Sequence, residues 1–186
     1  MKIFYTLLAI FCVALQLHSA PLIIAEKGEA AGHIAIDVNA PRTVQFAASE
    51  LQNYLRKITT ARYSVRHDTG NWKNTIIILG TKDCAFVKPF LTGAIPETLD
   101  KLIYDGYAVF RRGNKLLIIG NNARGVLNGV HRLIYKYTDF IWVRPYKELA
   151  IYTVNPNLKL DIKDYIDNPE FDFRGWGANG NIAIRS

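Results

Sequence analysis

The chain has 186 residues, 49% of them hydrophobic and 21% charged, with a formal net charge of +7. That length allows one core, and a body of about 150 residues buries roughly 70% of its unfolded surface without staples. The basic charges are scattered among Arg42, Arg56, Arg62, Arg66, Arg111, Arg124 and Arg132, not set in a stripe with aromatic platforms, so no nucleic-acid surface is expected.

Lys2 followed by the apolar run Ile3 to Leu17 and the small residues Ser19 and Ala20 predicts a secretory signal over 1–19. The run falls short of the roughly 20 apolar residues of a membrane span, so no integral membrane segment remains after cleavage and the protein is expected to be secreted or periplasmic. Cys84 is then the one cysteine left, which excludes an internal disulfide. It has no histidine nearby in sequence and reads as a structural thiol.

PLIIAE (21–26) and HIAIDV (33–38) read as short strands joined by a turn over 27–32. Residues 41–60 form the first strong helix: Val44, Ala47, Ala48, Leu51, Tyr54, Leu55 and Ile58 recur at three- and four-residue steps. Glu50, Arg56 and Lys57 are expected off that face. TIIIL (75–79) is an unalternating aliphatic run, as in a strand buried on both sides. Short helical turns and loop follow over 81–105, where Pro89, Gly93 and Pro96 break any long element. GYAVFRRGNKLLIIG then reads as a hairpin turning at Arg112-Gly113-Asn114.

Gly120-Asn121-Asn122 supplies a turn and helix cap, and Val126, Leu127, Val130, Leu133, Ile134 and Tyr137 make the buried face of a second long helix. Gly125 and Gly129, one turn apart, cost helix propensity of about 1 kcal/mol each, so close approach to the sheet is expected there. FIWV (140–143) and ELAIYTV (148–154) read as a strand pair, and Leu158, Leu160 and Ile162 alternate as an edge strand. Asp164, Asp167, Glu170 and Asp172 around Pro169 read as an acidic, solvated linker.

Nucleotide motifs fail on detail. GNNARG has the GxxxxG spacing, but Val126 and Leu127 stand where a phosphate loop needs Lys and Ser/Thr. His33, His67 and His131 lie on different elements without metal spacing, and no His-Glu-x-x-His occurs, so neither metal nor cofactor is expected.

AASELQNYLRKITTARYSV, TIIILGT, DGYAVFRRGNKLLIIGNNARGVLNGVHRLIYKYTDFIWVRP and NPEFDFRGW, in that order, resemble the N-terminal domain of family 67 α-glucuronidases. A related domain precedes the barrel in family 20 β-N-acetylhexosaminidases. The resemblance implies an α+β fold, a mixed sheet with two long helices on one face, similar to a zinc-protease fold without its metal site. It also implies a non-catalytic accessory domain over 20–163 that packs against a downstream (β/α)₈ barrel carrying the acid and base. Residues 164–186 are then linker and the start of that barrel. In family 20 the RG is followed by an aspartate and an arginine, whereas Arg174-Gly175-Trp176 here runs into Gly177-Ala178-Asn179, which disfavours a hexosaminidase.

The expected function is therefore an accessory domain of an exported glycoside hydrolase acting on poly- or oligosaccharide. Its partners are the barrel and a carbohydrate, and it has no catalytic residues of its own. Arg174, Trp176 and Asn179 are the substrate-proximal candidates. A free carbohydrate-binding module, using Trp72, Trp142, Trp176 and the ten tyrosines as stacking platforms, is the alternative; an enzyme complete in itself is the third reading.

Overall fold

The computed structural model describes residues 20–68, 74–143 and 150–170. The expected signal, Trp72, Pro145, Arg174, Trp176 and Asn179 lie outside them. From the N-terminus run β1 (Leu22–Ile23), β2 (Ala25–Glu26), β3 (Glu29–Ala30), β4 (Gly32–Ala35), α1 (Arg42–Thr59), β5 (Val65–Arg66) and β6 (Thr75–Thr81). A 3₁₀ turn (Lys88–Phe90), α2 (Ile95–Leu99), β7 (Tyr107–Arg112), β8 (Lys115–Gly120) and α3 (Ala123–Tyr137) follow, then β9 (Ile141–Trp142), β10 (Ala150–Ile151), β11 (Lys159–Leu160) and β12 (Tyr165–Asp167).

Among the described residues the main sheet has six strands in the order β12-β7-β8-β6-β4-β5. β5, β4, β6 and β8 are mutually parallel, while β7 is antiparallel to β8 and β12 to β7. The aliphatic run of β6 explains itself here. Ile77 and Leu79 join Leu116, Ile118 and Val109 in the core beneath α1 and α3. Ile76 and Ile78 face the other way, with Leu117, Ile119 and Phe110, against Val87, Ile95, Leu99 and Leu102. Both faces are thus covered, one by the two long helices and the other by the short turns of 82–102, and a strand covered on both faces has no reason to alternate.

The predicted helix faces hold, except that Leu127 and Tyr137 of the second are only partly buried. Val44, Ala47, Ala48, Leu51, Leu55 and Ile58 of α1 are all buried, as are Val126, Val130, Leu133 and Ile134 of α3. Each fully buried Val, Leu or Ile among them contributes roughly 1.5–3 kcal/mol. Asn122 caps α3, its side-chain oxygen accepting from the Gly125 amide at 3.0 Å. Gly125 explains its own presence: a Cβ there would lie 2.3 Å from the Gly106 carbonyl oxygen, so this end of α3 lies directly on the N-terminal end of β7.

Three expectations change. The turn over 27–32 contains a two-stranded ribbon, β2 with β3, with Lys27 and Gly28 at φ 53° and 78°, the left-handed pair that a tight hairpin requires. Its tip is tied down by the Lys27 amide donating to Asn157 Oδ1 at 2.8 Å. Glu50, expected off the apolar face of α1, is 8% exposed. The acidic stretch after Lys163 is not a free linker over its first residues: Tyr165–Asp167 is the sixth strand of the sheet, paired with Val109, Ala108 and Tyr107. Asp164 and Asp167 are held there by tertiary partners that sequence spacing does not reveal.

Candidate functional site

The buried carboxylate of Glu50 centres the most polar cluster of the helix layer. Tyr54, one turn later on α1, donates its hydroxyl to Glu50 Oε2 at 2.6 Å. Burial first, and that hydrogen bond second, push the Tyr54 hydroxyl up to about 12. His131 of α3 meets the Tyr54 ring edge-on at 5.8 Å and stacks on Trp142 of β9 at 5.7 Å. Burial holds the His131 imidazole below its usual value, partly opposed by the Glu50 charge. Phe140 closes the cage, with ring centroids 5.1 Å from those of Tyr54, Trp142 and Tyr152.

This cage is a packing cluster built around one carboxylate among the described residues, Glu50. Glycoside hydrolysis by the usual route needs two carboxyls about 5–5.5 Å or about 6.5–9.5 Å apart across a cleft. Here Glu50 accepts from a tyrosine with an aromatic wall around it. Trp142 stacks on His131 and meets Tyr54 at near right angles, so it fastens β9 to α1 and α3. No group of His, Cys, Asp and Glu among the described residues is arranged to hold a metal ion.

A cleft of about 790 Å³ lies at the C-terminal ends of α1 and α3, between Ile58, Lys136, Asp139, Thr153, Asn155 and Lys159. The carboxylate among its described lining residues, Asp139, accepts from the Thr153 amide at 3.0 and 3.2 Å, and hydrogen bonding by Thr153, from its side chain first and its amide second, lowers the Asp139 pKa. Among the described residues lining the cleft, no second carboxylate stands opposite it. Cys84 Sγ lies 3.5 Å from Asp37 Oδ2 and burial raises its thiol pKa, the reverse of an activated nucleophile.

Two surface features stand out instead. On the β9–β10 ribbon, Ile141 and Ile151 are opposite each other and 52% and 63% exposed, and beyond the two strands Val143 and Val154 are 52% and 50% exposed. At the end of the sheet where β8 finishes and β7 begins, the turn before β7 is bonded by asparagines. Asn121 and Asn122 Nδ2 both donate to the Tyr104 carbonyl, at 2.7 and 3.0 Å, and Asn128 Nδ2 donates to the Asp105 carbonyl at 3.2 Å. Asn168, just past β12, donates to the Lys101 carbonyl at 2.9 Å and accepts from the Ile103 amide at 3.1 Å. The sequence carried a signal for the first two, which flank a predicted helix start, but none for Asn128 and Asn168, whose partners are 23 and 65 or more residues away.

The family model described as the glycosyl hydrolase family 67 N-terminus matches residues 24–133. No curated protein matches the sequence. Among solved structures, a mutant Streptomyces plicatus beta-hexosaminidase in complex with its product shares the fold at TM-score 0.51 and 18% identity, over 83% of this chain and 24% of that one. The structure of CpGH84D does so at TM-score 0.50 and 13% identity, over 83% and 22%. The chain thus spans less than a quarter of the length of either. The ordered match from β2 through most of α3, carried on the mixed sheet and its two helices, makes this chain a member of the glycosyl hydrolase family 67 N-terminus family.

Proposed function

We propose that this chain is the non-catalytic accessory domain of an exported, α-glucuronidase-like glycoside hydrolase, packing against a (β/α)₈ barrel that follows Glu170 and carries the acid and base. In this reading residues 1–19 direct export, and the substrate is a polysaccharide or oligosaccharide. Arg174, Trp176 and Asn179 belong to the barrel's first strand and loop and reach that substrate.

The observation that carries the reading is the ribbon. Ile141 and Ile151 are exposed aliphatics opposite each other on the β9–β10 pair, with exposed Val143 directly after β9, and Trp142 fastens β9 to Tyr54 of α1 and His131 of α3. Exposed aliphatics grouped in this way are what an interaction surface presents. Among the described residues the cage and the cleft each hold one carboxylate, and each of these accepts hydrogen bonds within the domain.

The test has two arms. Assayed alone on aldouronic and chitin oligosaccharides, the 186-residue chain is expected to turn over neither, and hydrolysis by it would refute the accessory role. In the polypeptide extended through the following coding sequence, Ile141→Ser with Ile151→Ser is expected to lower the thermal midpoint and the glycosidase rate together. An extended reading frame without a barrel-length continuation, or one indifferent to both substitutions, overturns the proposal.

A further inference from the structure

The turn from Lys101 to Gly106 is built to hold two apolar side chains out of the fold. Ile103 and Tyr104 are 48% and 44% exposed, while the backbone beneath them is fixed by amides of Asn121, Asn122, Asn128 and Asn168. Tyr104 adopts φ 48°, a left-handed conformation that costs a bulky residue and that glycine takes freely. A segment that had only to connect α2 to β7 has no use for an aromatic at the strained position. A rigid backbone under an outward tyrosine is what an interface anchor needs, because little conformational freedom is left to lose on contact.

The occupant follows from where the chain goes. Asn168 bonds the turn at both Lys101 and Ile103, and Pro169 behind it is buried. Glu170, the last described residue, is therefore two residues beyond that clamp, so the chain leaves the described domain beside the turn. We propose that Tyr104 and Ile103 anchor the domain that follows Glu170, so that the last strand of this domain and the docking point of the next are clamped by the same asparagine. The inference rests on the reading that a catalytic domain follows, and it adds the residues that receive it.

The experiment uses the polypeptide extended through that domain and the 186-residue chain beside it. Calorimetry of the extended protein is expected to show one transition, which Tyr104→Gly or Ile103→Ser splits into two. Trypsin cleavage at Arg174 is expected to quicken by about tenfold, the effect of losing one anchor contact. In the 186-residue chain Tyr104→Gly is expected to leave the thermal midpoint unchanged or raised, since it relieves the left-handed strain; a purely structural Tyr104 would lower it. Unchanged coupling and unchanged cleavage in both variants overturn the inference. If Ile141→Ser with Ile151→Ser uncouples the domains while the turn variants do not, the accessory function stands and this anchor falls; if the parent already unfolds in two independent steps, both fail.

Discussion

The Tyr54 hydroxyl donates to the Glu50 carboxylate across one turn of α1, 2.6 Å apart and out of solvent. Glu50→Leu is expected to cost about 2 kcal/mol and Tyr54→Phe about 1–2 kcal/mol, the range for losing a buried hydrogen bond to a charged group. The double variant should lose less than the sum, since both single changes remove the same bond. Urea unfolding of the three variants measures it; strict additivity would show that the bond contributes nothing.

His131 stacks on Trp142 from β9, meets Tyr54 from α1 and feels the Glu50 charge. Burial lowers its pKa, so the unfolded chain binds the proton more readily than the folded one. Stability from this group is complete above the unfolded value of about 6.5 and is lost as pH falls through the folded value. His33 behaves alike, lowered first by burial and then by Arg66. His131→Phe keeps the stacking and removes the titration. Its stability should fall less steeply than the parent's between neutral and mildly acid pH, read from denaturation midpoints, and parallel profiles would sink the assignment.

These two residues also mark the boundary of what the sequence tells. The α1 stripe, the unalternating β6 run and the Asn122 cap are local patterns, and each appears where its period or spacing places it. Glu50 sits one step from the stripe, and its polarity argued for solvent; only α3 and β9 arriving over it make the position buried. An i, i+4 Glu–Tyr pair was the signal available. Asp164 and Asp167 misled in the same way. Their partners, the Arg111 amide and Arg112 at one and the Tyr107 hydroxyl at the other, are 52 to 60 residues away.

Gly125 and Gly129 were legible as close contacts, though not what they contact, and the contacts rank them. An alanine Cβ at 125 meets the backbone oxygen of Gly106 at 2.3 Å, with the Asp105 carbonyl oxygen at 3.2 Å. At 129 it meets side chains, Ile118 Cγ2 at 2.6 Å and Tyr107 Cδ2 at 3.0 Å. Side chains give way and backbone does not. Gly129→Ala is expected to cost about 1–2 kcal/mol, overpacking offset by roughly 1 kcal/mol of helix propensity, and Gly125→Ala about 3 kcal/mol or more. Thermal midpoints in the reverse order would contradict the placement of α3 on β7.

β12 covers the edge of β7 in the described sheet. Without Tyr165–Asp167, β7 becomes a sheet edge, Tyr107 loses the 2.7 Å bond to Asp167, and the Arg111 amide loses Asp164. Tyr165 also carries Lys136, whose ammonium lies 3.8 Å from its ring centre. The Arg112–Asp164 ion pair at 2.6 Å is solvent-exposed and adds little, so the cost falls on strand pairing and on Tyr107. A chain ending at Lys163 is therefore expected to be less stable than one ending at Glu170 by about 3 kcal/mol, and to associate through the bared β7 edge. Denaturant midpoints and sedimentation of the two chains decide it. Equal stability would mean that 164–170 is the linker its acidity suggests, and that the fold closes at β7.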